Sequence, residues 1–275
     1  MNDKSSGKPP FKRSVSPMRS AVIPSLCLAF VLARSAKAQV QTQVDGMEDR
    51  QPGNFKVKIK LTGSVVFDAY STQVDVTKAV DDCGRDLIDP QKENDAFKNS
   101  HLVENSGFTD VSLNLKSPAR TATLIRELSG EARLFVPKND PDSTVKVERF
   151  ESRAGKPVVS RVLSAAGIEI TVYTKEQREA AAEGHIFHAN IPYGPNDITL
   201  HIKDPRQKLV NIEFQDVGGS KIKGTGWEAH GEIDDQTKTF LFDSQLPATA
   251  LLVIYLSTPK AFVTVPFAFT NVRLP

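Results

Sequence analysis

A strict alternation of apolar and basic residues runs from Phe55 to Leu61. Successive side chains of a β-strand point to opposite faces of a sheet, so this period of two predicts a strand with one buried and one wet face. Short runs rich in β-branched and aromatic residues, separated by Gly, Asp, Asn and Pro, predict further strands. These are Ser64–Tyr70, Gln73–Val80, Val111–Leu115, Thr121–Leu128, Ala132–Val136, Val145–Phe150, Val158–Leu163, Ile168–Tyr173, Ile186–Ile191, Ile198–Ile202, Leu209–Gln215, Trp227–Ile233, Thr239–Phe242, Ala250–Leu256, Ala261–Val265 and Phe267–Val272.

One segment, residues 174–184, has helical signals instead. Thr174 can accept a hydrogen bond from the first turn, Gln177 follows three residues later as in a capping box, and Gly184 is a typical stop. By contrast, Gln91–Gly107 is a long, mostly polar segment rich in Asn, Lys and Ser, and we interpret it as a surface insertion rather than a binding loop. Many short strands with one short helix predict a mainly β protein, built as one or two antiparallel β-sandwich modules.

The domain organisation follows from length and from a weak internal similarity. The 237 residues that follow residue 38 accommodate one large sandwich or two modules. We expect two, at 55–143 and 144–275, because the turn Asp82-Cys83-Gly84 has a counterpart at Asp216-Val217-Gly218. Residues 39–54 are polar and aperiodic and predict a flexible lead-in. In both halves a strand is followed by an Asp-x-Gly turn and a second strand. In this pattern both halves resemble the immunoglobulin-like or fibronectin-like sandwiches of exported bacterial proteins. The resemblance implies the fold but no particular activity.

The first 38 residues have the organisation of a secretory signal. Basic residues precede the apolar run Ala21–Ala33, and the small-residue sequence Ala36-Lys37-Ala38 follows it. Thirteen helical residues rise only about 20 Å, short of the ~30 Å hydrocarbon core of a bilayer, so we expect cleavage rather than anchoring. A start at Met18 would leave an ordinary signal. We therefore expect an exported protein, periplasmic or extracellular, with no membrane span after cleavage.

Cleavage of this signal would change the charge of the protein. The chain has 35 basic and 33 acidic residues, and residues 1–38 contain seven and one of them, which leaves 28 minus 32, or −4. A mildly acidic body gives no electrostatic attraction to nucleic acid or to an anionic membrane. We therefore expect no nucleic-acid partner. An envelope protein or a polysaccharide is compatible with this charge as a partner, and the charge does not determine the oligomeric state.

Cys83 is the only cysteine beyond residue 38, so the exported protein has no internal disulfide. We expect its thiol to be buried as a small apolar group. The neighbouring carboxylates of Asp81 and Asp82 are unfavourable for a negatively charged thiolate, so a catalytic role is not predicted.

Two clusters contain residue types that bind metals, yet neither predicts a metal site. His185 and His188 would point to opposite faces of a strand, and His201 does not have the spacing of a third zinc ligand. The carboxylates of Asp81–Asp86 surround a glycine without the Glu of an EF-hand and predict a hairpin turn. No nucleophile-elbow or acyl-transfer motif occurs. We predict no catalytic residues, no metal and no cofactor, although a pair of glycosidase-type carboxylates would have no fixed sequence spacing.

The only tryptophan, Trp227, lies between glycines and is followed by polar residues. An exposed aromatic ring beside polar groups suits stacking on a sugar, which makes Trp227, Glu228 and His230, together with Tyr193, candidate ligand-binding residues. We favour the alternative in which Trp227 fills the core, because Glu228, His230 and Glu232 all fall on the opposite face of a strand. Tyr193 is then a turn residue.

These patterns predict an exported, non-catalytic β-sandwich protein of the cell envelope with a binding or structural role. The alternative is a carbohydrate-binding or polysaccharide-hydrolysing protein that uses the Trp227 segment and the 91–107 loop. A third hypothesis is self-assembly through Phe55–Leu61, which its three lysines oppose if this strand lies at a sheet edge.

Overall fold

The computed structural model describes residues 40–51, 54–89, 101–102, 107–183 and 194–275. Several predictions lie outside these residues: the signal segment, the strand Ile186–Ile191, His185 with His188, Tyr193, and the helix stop at Gly184. The described part of the chain is mainly β, as predicted, and every strand pairing in it is antiparallel.

Strands and helices have the following bounds. The strands are β1 (Gln41–Gln51), β2 (Asn54–Thr62), β3 (Ser71–Asp81), β4 (His101–Leu102), β5 (Phe108–Leu115), β6 (Leu124–Phe135), β7 (Thr144–Glu148), β8 (Glu169–Val172), β9 (Ile198–Lys203), β10 (Leu209–Gln215), β11 (Lys221–Ile222), β12 (Gly226–Glu232), β13 (Asp235–Leu241), β14 (Leu251–Leu256) and β15 (Phe262–Arg273). The α-helices are α1 (Ser64–Phe67), α2 (Arg161–Ala166) and α3 (Lys175–Glu183).

The first sandwich packs the sheet β1-β2-β5 against the sheet β15-β6-β3-β4. The alternation in β2 is confirmed, because Phe55, Val57, Ile59 and Leu61 are each at most 2% exposed. They meet apolar residues of β5, β6 and β15 in one core. Each methylene removed from water contributes roughly 0.8 kcal/mol, so this apolar face is the main reason that β2 docks.

The second sandwich packs the sheet β11-β10-β14-β7 against the sheet β12-β13-β9-β8. Its core contains a group of aromatic rings around Phe214. The ring centroids of Phe150, Phe240 and Phe242 lie 5.4, 5.2 and 5.3 Å from that of Phe214. These tilted and edge-to-face geometries are the favourable ones for aromatic pairs.

A third apolar cluster joins the two sandwiches. Strand β14 is buried on both faces: Leu252 and Ile254 enter the second core, while Val253 and Tyr255 contact Phe135 of β6. Burial on both faces explains why this strand is a continuous apolar run instead of an alternating one. The two sandwiches therefore share a packed junction.

The predicted flexible lead-in is wrong for residues 41–51, which form β1. This strand pairs with β2 along its length, with bulges after Val44 and after Asp49, and Val40, Val44 and Met47 pack on the first core. Bulges and an almost wholly polar outer face hide the period of two in the sequence of this strand. With β1 on one side and β5 on the other, β2 is a central strand, so the edge-pairing hypothesis for Phe55–Leu61 is also wrong.

Two predicted strands are partly helices. Ser64–Phe67 is α1, and Arg161–Ala166 is α2, in place of strands at Ser64–Tyr70 and Val158–Leu163. The caps decide the second case: the Ser160 side chain accepts from the Leu163 backbone N–H, and Gly167 ends the helix at φ 77°. The predicted helix after Thr174 is confirmed as α3, with both capping-box hydrogen bonds to Gln177 present.

The predicted strands Thr121–Leu128 and Ala132–Val136 are not separate, because β6 is one continuous strand that runs through Gly130. A side-chain Cβ at Gly130 would stand 2.1 Å from the Asp75 carbonyl oxygen, at a bulge in β3. Glycine here permits a close approach of two backbones rather than a reversal of the chain. Within the predicted loop Gln91–Gly107, the described residues are Gly107 and the two-residue strand β4.

The C-terminal strand leaves the predicted second module. Ala261–Val265 and Phe267–Val272 form a single strand, β15, which pairs with β6 and so belongs to the first sandwich. Because β15 is an edge strand, Pro266 is tolerated within it. The predicted boundary at residue 144 coincides with the start of β7, whereas the second sandwich ends before β15.

Candidate functional site

A groove of about 300 Å³ opens along one edge of the second sandwich. It lies between β10 and β11 of one sheet and β12 and β13 of the other. Its described lining residues are Asn211, Ile212, Glu213, Phe214, Lys221, Ile222, Lys223, Gly224, Gly226, Trp227, Lys238, Phe240 and Phe242. Aromatic rings, amine groups and an amide group all line it.

Trp227 is 60% exposed in this groove, so the interpretation of Trp227 as a core residue is wrong. It pairs with Phe240 across β12 and β13, and directly paired residues share a face of the sheet. Trp227 therefore points to the core side, as the alternation indicated. The facing sheet ends in β11, which has only two residues, and this short strand leaves the end of β12 uncovered.

Lys238 lies over the ring of the tryptophan. Its ammonium nitrogen lies 4.2 Å from the centre of the Trp227 ring and 5.1 Å from that of Phe240. Burial lowers the pKa of this ammonium below its ordinary value, because desolvation disfavours the charged form. The aromatic faces offset part of that cost through cation–π attraction.

Glu213 lies beside the groove at the junction of the two sandwiches. Its carboxylate accepts hydrogen bonds from the hydroxyls of Tyr70 at 2.6 Å and Tyr255 at 2.9 Å, and from the Gln215 amide at 2.6 Å. Asn211 donates in turn to the Tyr70 oxygen. Burial, and then the carboxylate itself, raise the pKa of both tyrosines well above the ordinary value.

Glu228 and His230 lie on the other face of β12 from Trp227. Their side chains are half-buried, and the His230 Nε2 atom is 3.8 Å from a Glu228 carboxylate oxygen. The structure thus brings these two candidates together but does not place them in the groove with Trp227. Tyr193, the fourth candidate, lies outside the described residues.

The segment Asp81–Asp86 is a hairpin turn, as predicted, with Gly84 at φ 85°. The carboxylate of Asp81 accepts from the backbone N–H groups of Arg85 and Ala119, and that of Asp82 accepts from Thr123. These oxygens hold two loops together. Possible ligand atoms of Asp81, Asp82 and Cys83 lie within 4.8 Å of one another, yet the carboxylates are engaged in these bonds.

Cys83 is exposed, so the prediction of a buried thiol is wrong. It occupies the tip of the turn, where no strand covers it, and its sulfur lies 3.4 Å from the Thr121 hydroxyl. His201, the other residue weighed as a metal ligand, contacts the Asp235 carboxylate at 2.7 Å and the ring of Tyr173.

The chain matches no protein-family model, no curated protein and no solved structure. Within the described ranges, no helix combines the length and the apolar character that a membrane span requires.

Sequence reasoning missed the groove residues that come from other strands. Asn211, Lys221 and Lys238 are separated from Trp227 along the chain and meet it only because β10 to β13 converge at one edge. The alternation of Lys238 with Phe240 on β13 was the one local signal, since it places the lysine on the core side of a strand.

Proposed function

We propose that this protein is an exported, non-catalytic binding protein of the cell envelope, and that the groove beside Trp227 binds a polysaccharide. The exposure of Trp227 at the open edge of a sandwich carries the proposal. A large aromatic ring is costly to leave in water without a partner. A sugar ring offers the matching surface, because its C–H face can lie on the indole.

The polar residues of the groove support a sugar rather than a purely apolar ligand. Asn211 offers an amide, and Lys221 and Lys238 offer ammonium groups, which donate hydrogen bonds to hydroxyl or carboxylate oxygens. A few such groups beside an aromatic wall are typical of ligand sites. The excess of lysines favours polymers that contain acidic sugars.

The absence of a free carboxylate pair among the described lining residues favours binding over hydrolysis. Most glycosidases cleave with two carboxyl groups, one an acid and the other a base or nucleophile. Glu213 is the only carboxylate among these lining residues, and its oxygens already accept three hydrogen bonds. We therefore infer that the groove binds a polysaccharide chain without hydrolysing it.

Export, to the periplasm or to the outside of the cell, is the remaining part of the proposal and rests on the N-terminal sequence. A basic region, an apolar run and a small-residue site in that order form a secretory signal. An immunoglobulin-like character of the two sandwiches belongs to the same proposal, because such domains are common in exported proteins. Sequencing the N-terminus of the secreted protein tests it, with Gln39 as the expected first residue.

The test of binding uses residues 39–275 on arrays of neutral and acidic envelope polysaccharides. We expect saturable binding to at least one polymer, and we expect Trp227→Ala to weaken it more than tenfold. Phe67→Ala is the matched control, because Phe67 is an exposed aromatic residue of the first sandwich and should change nothing. Equal binding by the Trp227→Ala variant would contradict the groove assignment, and no binding to any polymer would favour a protein partner or a structural role.

A further inference from the structure

A second groove, of about 470 Å³, lies in another part of the second sandwich. Its walls are α2, the connection from β9 to β10, and the segment that follows β14. It shares no described lining residue with the Trp227 groove. A volume of this size is in the range of small-molecule sites.

Positive charge dominates the lining of this second groove. Arg161, Arg206 and Lys208 contribute three cations, and Asp142 is the one acidic residue among the described lining residues. No ion pair or side-chain hydrogen bond joins any of the three cations to a described residue. Their charges therefore have no counter-ion among the described residues, and an anion in the groove would not have to displace one of these residues in order to bind the cations.

Hydrogen bonds stabilise the backbone of the segment that contains Arg206 and Lys208. The buried carboxylate of Asp204 accepts from the backbone N–H groups of Lys208 at 2.9 Å and Leu209 at 2.7 Å, and the Lys208 carbonyl accepts from Ser257 at 2.7 Å. Arg206 lies against the end of α2, because its Nε is 3.5 Å from the position that a Cβ at Gly167 would take, which is an ordinary van der Waals contact. A site on such a backbone loses little entropy when a ligand binds.

The remainder of the groove is largely apolar. Val162 and Ala166 of α2 and Leu256 of β14 line it, together with Thr258, whose hydroxyl has no hydrogen-bond partner in the described part of the chain. An apolar wall beside three cations suits a ligand that has an acid group at one end and an apolar body at the other.

We propose that this groove binds a small organic anion, such as a carboxylate, phosphate monoester or sulfonate with an apolar body. Arg161, Arg206 and Lys208 contact the acid group, and Val162, Ala166 and Leu256 contact the body. Guanidinium groups bind such acids with two parallel hydrogen bonds, which gives orientation as well as affinity. The site is independent of the Trp227 groove.

The test measures how tightly residues 39–275 bind two fluorescent probes that share the anilinonaphthalene skeleton. The probe 8-anilinonaphthalene-1-sulfonate carries the acid group, and N-phenyl-1-naphthylamine lacks it. We expect one molecule of the sulfonate to bind per chain, at least tenfold more tightly than the neutral amine. The double variant Arg206→Gln with Lys208→Gln should lower the affinity for the sulfonate at least tenfold and leave the affinity for the amine unchanged.

The control double variant, Arg120→Gln with Lys146→Gln, removes the same net charge away from the groove and should bind as the wild type does. Ala165→Trp fills the groove with its cations retained and should abolish binding, whereas Trp227→Ala should have no effect. Thermal unfolding confirms that each variant is folded. Equal affinities for the two probes, or an unchanged affinity in the Arg206/Lys208 or the Ala165→Trp variant, would overturn the proposal.

Discussion

At the scale of single residues, the buried carboxylate of Glu213 determines the chemistry of the junction. Only 6% of Glu213 is exposed, and two tyrosine hydroxyls and an amide donate to it. A buried charge costs several kcal/mol unless such donors compensate it. Tyr70 belongs to the first sandwich and Tyr255 to the second, so the network connects the two as well as satisfying the charge.

The two tyrosines make stability depend on alkaline pH. Burial, followed by the interaction with Glu213, raises the pKa of Tyr70 and Tyr255, so the folded protein keeps both protons above pH ~10, where an unfolded tyrosine loses its own. The protonated phenols therefore contribute stability that is present below pH ~10 and is lost as the pH rises further. We expect the unfolding free energy, measured by urea titration, to fall between about pH 9.5 and 11. This interval brackets the ordinary pKa of tyrosine.

The double variant Tyr70→Phe with Tyr255→Phe serves as the comparison. It removes both titrating groups, so its unfolding free energy should change less over the same pH interval than that of the wild type. A fall of the same size in both proteins would show that other groups cause the alkaline instability.

At the scale of elements, two strand bulges bring a glycine into very different surroundings. The bulge in β3 brings the Asp75 carbonyl against β6 at Gly130, and the bulge in β1 leaves Gly46 in open space. The two glycines look alike in the sequence, since each stands within a polar stretch. Their different surroundings come from the number of strands that pack around each one.

We expect Gly130→Ala to destabilise the protein by about 3 kcal/mol, because a Cβ would meet the Asp75 carbonyl oxygen at 2.1 Å and force β3 and β6 apart. Gly46→Ala is the matched control, at a bulge with no heavy atom within 4 Å of the new Cβ, and should change stability by less than about 1 kcal/mol. Urea unfolding followed by circular dichroism measures both. Equal effects of the two substitutions would contradict the close approach at Gly130.

At the scale of the whole molecule, the path of the chain ties the two sandwiches together. The chain leaves the first sandwich after β6, builds the second, and returns as β15 to pair with β6. The junction around Phe135 and Tyr255 adds a shared apolar cluster. Neither sandwich can be cut from the chain without removing a strand or exposing that cluster.

We therefore expect the two sandwiches to unfold in one cooperative transition. Trp227 fluorescence reports on the second sandwich, and a fluorophore on Cys83, the only cysteine of residues 39–275 and an exposed one, reports on the first. The two urea curves should have the same midpoint and slope. Midpoints that differ by more than the error of measurement would show that the sandwiches unfold separately.

The sequence by itself determined the features that depend on neighbouring residues. The period of two in Phe55–Leu61 specified a half-buried strand, Thr174 and Gln177 specified the start of α3, and the carboxylates around Gly84 specified a turn. Each of these depends on interactions over a few positions, and the structure confirms all three. The overall mainly β class follows from many such local signals.

Only the tertiary structure decided which of these elements meet. It made β2 a central strand, buried β14 on both faces, returned β15 to the first sandwich and left Trp227 uncovered. Each outcome depends on residues far apart in the chain: Trp227 is exposed because β11 is short, and its neighbours Asn211 and Lys238 come from other strands. Whether a residue is buried depends on the strand that packs against it as much as on the residue itself. The neighbouring residues in the sequence do not specify that strand.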